Sequence, residues 1–169
     1  IIIDRPEPAC VLPDIKGYKG IWVFLEQKNG KIQSVSYELL GKAQELAKKL
    51  KTDVSGILIG NNLDDQLDEI IHRGADNIYL VQAPELQNFQ DEPYTNIFLK
   101  LIEKYKPEVV LCGATAIGRS LISRVAVNIK VGLTADCTGL DIDPEKNILL
   151  QTRPAFGGNI MATIISPNY

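Results

Sequence analysis

Pro107-Glu108-Val109-Val110-Leu111-Cys112-Gly113-Ala114-Thr115-Ala116-Ile117-Gly118-Arg119-Ser120 decides the fold. Its first part is a short apolar run of strand type, and its second is a turn of small residues. Leu121, Ile122, Val125, Ala126 and Ile129 then recur at helical spacing. Strand, glycine turn and helix in this order place the turn at the carboxyl end of a parallel strand. A turn so rich in small residues lets a nucleotide or a partner's backbone approach closely.

Upstream the same rhythm repeats. Ile21–Leu25 is a continuous apolar run suited to a strand covered on both faces, and Lys28–Lys31 reads as a loop. Leu39, Leu40, Ala43, Leu46, Ala47 and Leu50 form one helical face opposite Lys42, Glu45, Lys48 and Lys49, with Ser34 or Ser36 as N-cap. Val54–Ile59 is a second strand. Asn62 caps a helix with Leu63, Leu67, Ile70 and Ile71 inward, closed by Gly74. Asn77–Val81 is a third strand, and a polar loop over 83–93 leads to a helix with Ile97, Phe98, Leu101, Ile102 and Tyr105 inward.

After Lys130 the helices stop. Ala135–Ile142, Asn147–Thr152 and Ile160–Ile165 read as strands, with Asp143–Asn147 as a hairpin turn between the first two. The expected fold class is α/β: a mostly parallel sheet with helices on both faces, completed by a short antiparallel extension at the C-terminal end.

Composition excludes several functions. A formal net charge of -3 without a clustered basic face argues against a nucleic-acid partner. No apolar run approaches the roughly 18 residues of a membrane span. Three widely spaced cysteines, Cys10, Cys112 and Cys137, argue against a disulfide framework and for a reducing cytoplasm. One histidine, His72, and no CxxC pair leave neither a zinc site nor a nucleophile-histidine arrangement.

Gly113–Ser120 nearly matches the phosphate-binding pattern GxxxxGK[ST], but arginine stands where a compact lysine charge belongs. A glycine turn that packs or holds a neighbour is the preferred reading. Thr134 and Asp136 sit in a small polar segment, where they serve local turn bonding or reach a ligand at the crevice. Arg153, just before Pro154-Ala155-Phe156-Gly157-Gly158, offers a surface ion pair, or a fixed charge aimed at an electron-rich ring or at a partner's carboxylate. A cation near a flavin favours its reduced, anionic form.

Taken together, Gly20–Glu26, the helix Glu38–Leu50, Val110–Ala126, Leu133–Cys137 and Thr152–Asn159 resemble the N-terminal domain of the electron transfer flavoprotein alpha (large) subunit. The resemblance covers residues 18–169 and leaves 1–17 as a lead-in or linker. It implies an adenine nucleotide alpha hydrolase-like α/β domain that works in a heterodimer with the beta (small) subunit. It also implies FAD, held mainly by a C-terminal domain absent from this chain and by the small subunit. Electrons then pass between NADH or acyl-CoA dehydrogenases and an acceptor, with ferredoxin a further partner in electron-bifurcating members. By resemblance Arg153 contacts the small-subunit flavin, with Gly113, Thr115 and Thr134 nearby. Asp136 joins them as a cofactor-binding candidate, and no catalytic residue is expected.

A start at Ile1 and an end at Tyr169 read as a fragment of a longer polypeptide. The alternative is a free-standing adenine-nucleotide-binding module of the stress-protein type. A dinucleotide-dependent dehydrogenase ranks third, because no GxGxxG follows the first strand.

Overall fold

The structure, a computed structural model, describes residues 17–155 and 160–166. The lead-in up to residue 16, with Cys10, and the Phe156–Asn159 run lie outside the described residues. The apolar run Ile21–Leu25 is strand β1, and every residue in it is buried. Successive side chains of a strand point to opposite faces. Ile21, Val23 and Leu25 therefore enter one core, and Trp22 and Phe24 enter a second.

Directly after β1, Gln27–Lys28 (β2) and Lys31–Ile32 (β3) pair as a small antiparallel hairpin. This corrects the loop expected over Lys28–Lys31. Asn29 and Gly30 both take positive φ, 52° and 76°, the turn that Asn-Gly favours because it matches strand twist. Helix α1 (Ser34–Leu50) buries Leu40, Ala43, Leu46 and Ala47, as its periodicity requires. Neither serine caps it. Gln33 holds the N-cap position without a side-chain bond, and the Ser36 hydroxyl accepts from the Glu26 N–H instead.

Strand β4 (Val54–Gly60) is wholly buried. A single 3-10 turn leads into the short helix α2 (Leu67–His72), and Asn62 gives no cap. Leu63 and Ile70 are buried, but Ile71 points outward and is 47% exposed. Gly74, at φ 104°, closes the helix and donates its N–H to the Ile71 carbonyl.

Strand β5 (Asn77–Gln82), helix α3 (Asp91–Tyr105), strand β6 (Val109–Leu111) and helix α4 (Ala116–Ile129) follow. In α3 the buried face is shifted towards the N-terminus. Tyr94 is buried with its hydroxyl donating to the Leu86 carbonyl, whereas Tyr105 is 40% exposed.

The four main strands are parallel, in the order β5-β4-β1-β6. Helices α1 and α2 cover one face of this sheet, and α3 and α4 cover the other. The chain winds from β1 outward to β5, then crosses back to β6 on the far side of β1. The segments that follow β1 and β6 thus leave in opposite directions, and ligands of such sheets bind at the carboxyl ends beside this switch point.

Strands β7 (Gly139–Ile142), β8 (Leu149–Pro154) and β9 (Met161–Ile165) form an antiparallel sheet. It is a separate sheet and does not extend the parallel one. Leu140, Ile142 and Leu149 pack on the α1 side of the core, and Lys49 pairs with Asp141. Residues 135–138, expected as strand, are irregular because Asp136 turns the backbone at φ 56°. The Asp143 turn forms as expected, its carboxylate accepting the Glu145 and Lys146 N–H groups at 2.9 and 3.1 Å.

The two helical glycines make opposite demands. A methyl group on Gly118 would fall 2.1 Å from the Gly113 carbonyl oxygen, whereas one on Gly41 would meet nothing within 4 Å. Gly118→Ala is expected to lower the unfolding free energy by about 2 kcal/mol, and Gly41→Ala to raise it by about 0.5–1 kcal/mol. Urea denaturation of both variants measures the difference; a loss at Gly41 as large as that at Gly118 would contradict the packing described.

Candidate functional site

The Gly113–Thr115 turn, at the carboxyl end of the sheet, borders the larger of two clefts. The smaller, about 410 Å³, lies over the end of β1; Glu26, Gln27, Lys28, Gln33, Phe89 and Ile117 are in its wall. The larger, about 740 Å³, runs along β6 towards the antiparallel sheet, and Gly113, Arg119, Thr134, Asp136 and Cys137 are in its lining.

The turn is held by hydrogen bonds and by close packing. Thr115 caps α4, its Oγ1 accepting the Gly118 N–H at 2.9 Å. The same hydroxyl donates to Oε2 of Glu26. Gly118 is buried with its Cα against the Gly113 carbonyl, where no side chain fits. The likeness to a phosphate loop is one of sequence, and the third N–H of the helix is already engaged within the protein. In a phosphate-binding turn the N–H groups at the helix start are free to meet an anion. Here the Gly118 N–H is taken by Thr115, and a protein carboxylate already lies beside the positive end of the helix.

The structure brings Gly113, Thr134 and Asp136 to the larger cleft. The Thr115 side chain points the other way, to Glu26. Asp136 pairs with Arg119 at 2.7 Å, both side chains being 58% exposed, so the pair contributes at most about 1 kcal/mol. It clips the segment after α4 onto the first turn of that helix. Arg153, exposed near the end of β8, lies close enough to Cys137 for its charge to act on the thiol. Burial raises the Cys137 pKa, and the Arg153 guanidinium opposes that rise.

Cys112 is different in kind. Burial and then the nearby Glu26 charge push its thiol up to about 12, so it is inert near neutral pH. His72 is exposed, with Nδ1 2.6 Å from the Asp68 carbonyl oxygen one turn back in its own helix. Among the described residues, no group of three or more His, Cys, Asp or Glu is placed to hold a metal ion, and no helix is long and apolar enough to cross a membrane.

Glu26 escaped the sequence reading. Its only signal is position: a carboxylate directly after the apolar run of β1, where the fold places ligand or switch-point residues. It is 8% exposed.

The larger cleft has partly apolar walls, with Arg119, Thr134 and Asp136 in its lining. A doubly wound sheet of this order, with a glycine turn and a helix start at its switch point, defines an α/β domain of the nucleotide-binding class. Residues 21–169 match the electron transfer flavoprotein domain family, and the chain belongs to that family.

Among its relatives is an electron transfer flavoprotein subunit alpha from Thermoanaerobacterium thermosaccharolyticum, 52% identical over 89% of this chain and 46% of the relative. A lactate dehydrogenase (NAD(+),ferredoxin) subunit LctC from Acetobacterium woodii is 44% identical over 99% of this chain and 40% of the relative. A Protein FixB from Azorhizobium caulinodans is 43% identical over 94% of this chain and 44% of the relative. The chain thus spans less than half the length of these curated relatives.

The two described thiols test the electrostatics directly. At pH 8 iodoacetamide is expected to label Cys137 at least about tenfold faster than Cys112, followed peptide by peptide by mass spectrometry. Arg153→Gln is expected to slow Cys137 by removing a charge that favours its thiolate. Unchanged Cys137 labelling in that variant would put Arg153 elsewhere.

Proposed function

We propose that this chain is the part of an electron transfer flavoprotein large subunit that docks the small subunit and closes one side of a flavin site. The observation that supports it is the meeting of Gly113, Thr134 and Asp136 on one cleft, with Arg153 in electrostatic reach of its Cys137, in a chain of this family. FAD, when bound, accepts electrons from one protein and passes them to another. The rest of the work falls to the chain's own groups. Ala114 is exposed in the turn and carries only a methyl group, so a flat ring can lie close to it. The apolar walls keep water from that side of the ring. Arg153 holds a fixed positive charge near the place where negative charge develops on reduction.

This chain does not grip the cofactor's phosphates in the proposal. That task belongs to the remainder of the large subunit and to the small subunit. The relatives' names support the assembly: one is a subunit alpha, and another carries both NAD(+) and ferredoxin in its name. From these we infer a heterodimer working in the cytoplasm, of the electron-bifurcating kind. Its partners are an acyl-CoA dehydrogenase or similar oxidoreductase, and ferredoxin.

The test is a redox titration of the flavins in the assembled heterodimer. Arg153→Ala is expected to lower the midpoint of the small-subunit flavin by about 30 mV, equivalent to about 1.4 kcal/mol for a two-electron couple. Arg153→Lys, which keeps the charge, is expected to move it less. A midpoint unchanged in Arg153→Ala would overturn the assignment of Arg153.

A further inference from the structure

We propose that Glu26 is a positioning residue: its carboxylate, acting through the Thr115 hydroxyl, fixes the Gly113–Thr115 turn that walls the cofactor-facing cleft. The inference rests on the reading of that cleft given above.

Glu26 is placed with unusual firmness for a residue at a strand end. Its N–H donates to Ser36 Oγ at 2.9 Å, and its carbonyl accepts the Gln33 N–H at 2.8 Å. The start of α1 therefore anchors it from one side. Its carboxylate then reaches across the switch point to Thr115. The links run in one direction: the Gly118 N–H donates to Thr115 Oγ1, and Thr115 Oγ1 donates to Glu26 Oε2. Each bond polarises the next, and the sequence starts at the positive end of a 14-residue helix.

A buried carboxylate is costly unless it is hydrogen-bonded or faces positive charge. Here it has the threonine hydroxyl and the helix terminus behind it. Lys28 is in the wall of the same cleft. The Cys112 thiol, one residue before the turn, feels the Glu26 charge.

The turn needs such a fixture. Gly113 and Ala114 have no side chain able to hydrogen-bond, and glycine leaves its backbone more freedom than any other residue. Thr115 is the only side chain in the turn that can tie it to the sheet. Holding Thr115 from the smaller cleft sets where Gly113 and Ala114 stand in the larger one.

The experiment uses the FAD-loaded heterodimer and compares Glu26→Ala, Glu26→Gln, Thr115→Val, Thr115→Ser, the Glu26→Ala/Thr115→Val double variant and Arg153→Ala. Amide hydrogen exchange across Gly113–Gly118 is expected to quicken about tenfold in Glu26→Ala and in Thr115→Val, and no further in the double variant. Thr115→Ser and Glu26→Gln, which keep a bonding group, should restore slow exchange. Glu26→Ala and Glu26→Gln carry the same charge, so a flavin midpoint that differs between them reports position and not charge. Equal midpoints in those two variants, with a shifted midpoint in Arg153→Ala, would overturn the positioning role while the cofactor reading stands. An unmoved midpoint in Arg153→Ala as well would overturn the cofactor reading and this inference with it. Should Glu26→Ala fail to assemble, a wild-type midpoint in Thr115→Val decides against the proposal alone.

Discussion

Burial of β1 on both faces is the constraint from which the rest of the architecture follows. Ile21, Val23 and Leu25 are sealed under α1, and Trp22 and Phe24 under α3 and α4. A strand without a solvent face has to lie inside a parallel sheet with helices on both sides. Its neighbours are then β4 and β6, and its carboxyl end becomes the switch point. At that point the run of apolar residues gives way to Glu26. Core formation and site formation are thus two consequences of one strand.

The same geometry shapes the switch-point turn of this nucleotide-binding type of fold. In such folds a helix N-terminus and a glycine turn leave N–H groups free for phosphate. Here Gly118 packs against the Gly113 carbonyl, and the Gly118 N–H is taken by the Thr115 hydroxyl. Negative charge beside the helix comes from the protein itself. Ala114 of the turn is exposed and lines the larger cleft. In the proposed shared site the chain contributes shape, dryness and charge.

Much of the fold was legible because long apolar runs carry their own period. The limits of β1 are those of its apolar run, and α1, β4 and β5 lie within one or two residues of theirs. What escaped the sequence depends on contacts. The β2–β3 hairpin is two residues to a side, too short for any pattern, though Asn29-Gly30 marks its turn. The ends of α1, α3 and α4 are set by Lys51, Lys106 and Lys130 in the left-handed region and not by glycine. Whether β7–β9 join the main sheet is a matter of tertiary docking, which strand propensity does not encode. Gly113, Thr134 and Asp136 were chosen from the sequence and share a cleft, but Asp136 is engaged with Arg119 and Thr115 with Glu26. Glu26 itself has no periodic signature; only knowledge of which strand ends meet gives it meaning.

The central claim is that this chain forms one wall of a cofactor site completed by other polypeptide. Calorimetric titration of AMP, ATP and FAD into the isolated 169-residue chain tests it most directly. The account predicts no saturable heat for any of the three up to millimolar concentration. A micromolar dissociation constant for any of them would contradict it.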